Sequence, residues 1–169
     1  MKRALPFAAV LPAAWFLLSP AASAQCATLG TPGSTGCGLG ATSAPVISCG
    51  GTPSVGNGSF VVTATIACVS SPPLLLVGTC LPAPVSVPGP FGTNGFCGPS
   101  GGGCLAYVGP SFFLAIPGIP TGGGFSFSLG IPNDPSLLGA TVCVQEANLC
   151  ILFVGQCVGV SHALSITVL

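Results

Sequence analysis

Glycine and proline punctuate this chain from end to end, 26 and 18 of its 169 residues, and leave only short segments between them. Both residue types weaken helix interiors and favour turns. Within the segments, apolar residues alternate with a period of two. From 60 to 68 one face carries Phe60, Val62, Ala64, Ile66 and Cys68, and the other Thr63 and Thr65. Phe125, Phe127, Leu129 and Ile131 alternate with Ser126 and Ser128, and Ala140, Val142 and Val144 with Thr141, Cys143 and Gln145. Leu164, Ile166 and Val168 alternate with Ser165 and Thr167. This pattern belongs to half-buried antiparallel strands.

Three continuous apolar runs, at 74–77, 112–116 and 151–154, read as central strands. Turn signals separate the segments: Gly56-Asn57-Gly58, Ser71-Pro72-Pro73, Gly89-Pro90, Asn94-Gly95 and Asn133-Asp134-Pro135. A further turn is expected at Glu146-Ala147-Asn148, and a single helical turn at 135–139. The expected fold is an all-β, antiparallel β-sandwich of about seven to nine short strands. Residues 25–58 are poor in large apolar side chains, with one weak strand near Val46-Ile47. They read as a loop-rich strap, stapled by disulfides to a strand core at 59–169.

The first 24 residues have the layout of a signal peptide. Lys2 and Arg3 precede an apolar run broken by Pro6, Pro12 and Pro20, and Ala22-Ser23-Ala24 offers a cleavage site before Gln25. The run is too short and too broken for a membrane anchor. Cleavage leaves one domain at 25–169 and removes both basic residues, taking the formal charge from 0 to −2. Without Lys or Arg the mature chain has nothing to neutralise phosphates, so nucleic acid is not an expected partner. Membrane insertion after signal removal is not expected either, because no later apolar run reaches spanning length.

All ten cysteines lie beyond residue 24: Cys26, Cys37, Cys49, Cys68, Cys80, Cys97, Cys104, Cys143, Cys150 and Cys157. An even count in an exported chain reads as a disulfide framework. Cys97 and Cys104 flank a glycine-rich loop and could close a small ring. Cys143, Cys150 and Cys157 recur every seven residues, so one pair there could staple a hairpin. A zinc site would show a C-x2–4-C knuckle and a redox centre C-x-x-C, and the chain has neither.

One succession of motifs is distinctive. Gly36-Cys37-Gly38 is followed by Gly51-Thr52-Pro53, with Gly56-Asn57 leading into a strand, then by strands at 74–78 and 126–129. Next come Ile131-Pro132-Asn133-Asp134-Pro135-Ser136-Leu137-Leu138-Gly139-Ala140, Val144-Gln145 and a terminal strand at 161–169. This order resembles a family of uncharacterised exported bacterial β-sandwich domains, found alone or at the C-terminal end of larger secreted proteins. The resemblance implies fold and export and carries no established activity. Relative to its usual pattern, Cys143, Cys150 and Cys157 are additional.

Few residues are candidates for chemistry. Asp134 suits a turn or cap, and its only carboxylate partner for acid–base work is Glu146, in phase with the inward face. His162 is in phase with Leu164, Ile166 and Val168, and no G-x-S-x-G elbow accompanies it. Asn57-Gly58-Ser59 fits a glycosylation acceptor. Tyr107 is the one aromatic that could offer a sugar-stacking platform, because the phenylalanines fall mostly on inward positions. No cofactor, metal or catalytic site is expected. The expected function is a non-catalytic structural or interaction domain, secreted or at the cell surface, that self-associates or joins other exported proteins. The alternative is a carbohydrate-binding module using Tyr107 and an exposed strand face. With His162 the only group of ordinary pKa near neutrality, stability is expected to vary little between about pH 6 and 9.

Overall fold

A computed structural model describes residues 25–30, 45–65, 73–87, 104–122, 124–152 and 155–169. The signal-like segment 1–24, Cys37, Cys68, Cys97 and the glycine-rich loop before Cys104 lie outside the described residues.

Nine strands are described: β1 (Cys26–Leu29), β2 (Ile47–Gly50), β3 (Val61–Ala64), β4 (Leu74–Val87), β5 (Cys104–Pro117), β6 (Ile119–Thr121), β7 (Gly124–Ser128), β8 (Thr141–Leu152) and β9 (Gly155–Thr167). They form a five-stranded sheet in the order β1-β9-β8-β4-β5 and a four-stranded sheet in the order β2-β3-β7-β6. Every recorded pairing is antiparallel. The expected β-sandwich is the fold observed.

The period-two pattern explains how the sheets meet. Ile47, Val62, Ala64, Phe125 and Phe127 point inward from the small sheet. Leu75, Val77, Val144, Leu164 and Ile166 meet them from the large one, and Phe60 closes one end. Burying a large apolar side chain is worth about 1.5–3 kcal/mol. Phe60 and Phe127, at 1% and 0% exposure, are the largest such contributors in this core. Leu129 and Ile131 continue the inward phase beyond β7 and pack against the same cluster.

Backbone freedom is required at two glycines. Gly124, which opens β7, lies so close to β3 that a Cβ there would fall 2.0 Å from the Ala64 carbonyl oxygen. Gly139 adopts φ 77°, a left-handed conformation that ends the 135–139 turn and feeds β8. The expected helical turn is a 3-10 turn over Pro135–Leu137, capped by Asp134.

The strap differs from expectation. Besides β2, it contributes β1, an edge strand paired with β9 from Cys26↔Ile166 to Leu29↔Ala163. Each end of the strap therefore adds a strand to a different sheet. The run at 112–116 lies in β5, which ends the sheet order instead of standing inside it. The turn expected at 146–148 is absent. β8 runs straight through it to Leu152, with only a register shift between Gln145 and Ala147, so 151–152 end a long hairpin strand and are not a strand of their own. Residues 153–154 lie outside the described residues.

The first half of β5 does more than extend the sheet. Register shifts after Gly78 and after Cys80 release β4 and β5 from the plane, and β5 packs against β8 and β9 although neither is its neighbour. The large sheet thus has the sandwich core on one face and a folded-back β4–β5 flap on part of the other.

Candidate functional site

The ionisable groups fall in two separate places. Asp134 is exposed on the 3-10 turn, where its Oδ1 accepts from the Ser136 amide at 2.9 Å. The Ser136 backbone and side-chain hydrogen bonds hold its carboxyl below the usual value. It is a cap, as its position before Pro135 implies. Thr141, at the near end of β8, is five residues from Glu146, about 17 Å along a strand. Asp134 therefore does not join Glu146 and His162.

Glu146 and His162 sit where β8 and β9 fall out of step. Alternation with Val144 and register with core residue Leu75 place Glu146 on the core face, 1% exposed. Burial pushes its carboxyl up to about 8. His162 is 1% exposed and reaches the small sheet through a hydrogen bond with the Ile47 backbone. Burial lowers its pKa, and that hydrogen bond only partly opposes the shift. Glu146 Oε2 and His162 Nδ1 are buried without a hydrogen-bond partner among the described residues. The Ser161 hydroxyl accepts from the Glu146 amide at 2.9 Å and donates to the His162 carbonyl, fastening the bulge between the two strands. A buried carboxyl of this kind predicts a pH dependence of stability that the sequence alone does not. The sequence shows Glu146 in inward phase, but not that the bulge would bury its carboxyl so completely.

Tyr107 is also placed differently from a platform. It is 8% exposed, on the part of β5 that folds back over the large sheet. A covered ring offers no face to a sugar. Its amide donates to Gln145 Oε1 at 3.1 Å, and Gln145 Nε2 donates to the Leu105 carbonyl at 2.7 Å and the Ser161 carbonyl at 2.9 Å. Gln145 is thus the residue that sequence reasoning missed. Alternation puts it opposite Val144, on the face that reads as solvent, and only the return of β5 turns that face into an interior.

Two disulfides are described. Cys26–Cys49 joins β1, an outer strand of the large sheet, to β2, an outer strand of the small one, and so closes one side of the sandwich covalently. Cys80–Cys143 ties the base of the folded-back flap to β8, with Cys143 fully buried. Cys104, Cys150 and Cys157 lie on β5, β8 and β9, and the register sets Cys150 opposite Cys157. No group of three or more His, Cys, Asp or Glu residues that could hold a metal is found among the described residues.

The outer face of the small sheet carries a hollow of about 200 Å³, lined by Val46, Ser48, Thr63, Thr65, Thr121 and Phe125 among others. Its hydroxyls are ordered by the strands beneath them. Ser48 Oγ and Thr63 Oγ1 share a hydrogen bond of 2.9 Å, and Thr65 Oγ1 accepts from the Val46 amide at 2.9 Å. The hollow is uncharged and rimmed by hydroxyls. At the other end of β3, Asn57 Nδ2 donates to the Thr52 carbonyl at 2.7 Å, so the nitrogen a glycan would modify is already engaged in a turn.

No protein-family model, curated protein or solved structure matches this chain.

Proposed function

We propose that the chain is a non-catalytic structural or interaction domain that works outside the cytoplasm, secreted or at the cell surface. The Cys26–Cys49 bridge carries this reading, because it links the two sheets of the sandwich through their outer strands. Such a closure persists in an oxidising compartment and is reduced in a cytosolic one. No helix among the described residues is long and apolar enough to cross a membrane. The non-catalytic part rests on the separation of Asp134 from Glu146 and on the burial of Glu146 and His162 in the core. The resemblance to exported β-sandwich domains belongs to the same proposal. Expression in a bacterium with its own leader tests it: mature protein beginning at Gln25 should accumulate outside the cytoplasm, and retention of a reduced, full-length chain inside would refute it.

A second reading, as a carbohydrate-binding module, is favoured by the hollow on the small sheet and not by Tyr107. A polysaccharide pull-down that is lost in Thr63→Val while the fold is retained would support it. Equal retention by the variant would remove the hollow from consideration.

A further inference from the structure

The four strands that end the sheets are unequal. β1 and β2 have four residues each and are tied together by Cys26–Cys49, and β6 has three residues with Pro120 at its centre. β5 has 14 residues and no neighbour on its outer side among the described residues. Natural edge strands are blunted by charge, proline, bulges or brevity. Along β5, Pro110 and Pro117 bound residues 111–116, which contain neither proline nor charge and so keep every amide donor. The register shift opposite Gly78 falls at 110–112, and from Phe113 to Ile116 the strand runs in regular register with β4. Among the described residues, four of the six large exposed apolar side chains, Leu74, Val85, Leu114 and Ile119, lie on β4, β5 and β6, and none lies on β1 or β2.

We infer that the outer edge of β5, along residues 111–116, is the surface through which this chain pairs with a second copy of itself. The inference rests on the interaction-domain reading and names its partner. An unpaired backbone edge is satisfied by another extended strand, and an antiparallel edge is complementary to itself about a twofold axis. Two copies meet there without repulsion, since the chain has no Lys or Arg after Arg3 and its two carboxylates, Asp134 and Glu146, lie on the 3-10 turn and in β8. Pairing joins the two five-stranded sheets into one and brings Leu114, 48% exposed, beside its symmetry mate's strand.

The test uses the oxidised, exported protein. Sedimentation velocity should show a concentration-dependent dimer, and hydrogen exchange at high against low concentration should show added protection at the amides of residues 111–116. Leu114→Lys places like charges across the twofold and should weaken dimerisation by about tenfold or more. Thr28→Lys, on exposed β1, should leave it unchanged. A protein that stays monomeric at its highest attainable concentration, or a dimer whose added protection falls elsewhere, overturns the inference. Export and bridging of Cys26 to Cys49 in that same monomer would leave the broader reading intact, so the two failures are told apart.

Discussion

Glu146 is the residue whose chemistry departs furthest from its ordinary behaviour. Its carboxyl stays protonated up to about pH 8 because ionising it would strand a charge in the core. A folded-state pKa above the unfolded one means that the folded chain holds the proton more tightly. The associated stability is fully present below the unfolded value of 4.5 and is lost as pH rises through about 8. His162 acts in the opposite sense: its lowered pKa contributes stability above 6.5 that is lost as pH falls through the folded value. Above pH 6.5 only the Glu146 effect remains. Urea titrations should therefore show stability falling between pH 6.5 and 8.5, by roughly 3–5 kcal/mol overall relative to pH 4.5 for a shift of this size. Glu146→Gln should flatten that slope. An unchanged slope in the variant would show that another group carries the titration. Gln145 is the second residue whose removal should matter. Gln145→Leu deprives the Tyr107 amide and the Leu105 and Ser161 carbonyls of their partner and should cost about 2–4 kcal/mol, with faster exchange at the Tyr107 amide.

Among the elements, those with a clean period of two were legible before the structure was known. β3, β7 and the last part of β9 present the residues their alternation assigns inward, down to Phe127 at 0% exposure. The Pro135 turn was readable because Asp134-Pro135 couples a capping oxygen to a fixed φ. What local pattern could not show is where a strand goes once it leaves its plane. Gly78, Pro82 and Pro84 mark where regular pairing of β4 lapses, but not that the lapse folds β5 across β8 and buries Tyr107 and Gln145. Ala147 likewise sits in a polar triplet that reads as a turn, and pairing with Leu74 on one side and Val160 on the other keeps it in a strand. β1 was hidden for a related reason: four residues of half-exposed strand acquire their conformation from β9 and from the Cys26 bridge. That dependence is measurable. Replacing Cys26 and Cys49 together by Ser should cost about 3 kcal/mol in the loop-closure account, and the Cys80 and Cys143 pair, which closes a longer loop of 63 residues, about 4 kcal/mol. Losses measured by urea unfolding in the reverse order would argue that strain or residual structure outweighs loop length.

For the molecule as a whole, the near absence of charge concentrates the stabilising forces in two kinds of contact. Interdigitated apolar side chains fill the space between the sheets, and sulfur bridges close one side of the sandwich and anchor the flap. The same shortage of charge leaves residues 111–116 of β5 without a charged side chain, and the proposed self-pairing rests on that edge and not on any special motif. Since a domain is stable by only about 5–15 kcal/mol, two bridges of the size above are a large share of its margin. The molecule should then hold its shape outside the cell and lose it under reducing conditions. Non-reducing peptide mapping of the exported protein addresses this most directly. Peptides joined through Cys26 to Cys49 and through Cys80 to Cys143 are predicted, and free, alkylatable thiols at those four positions in folded protein would contradict the account.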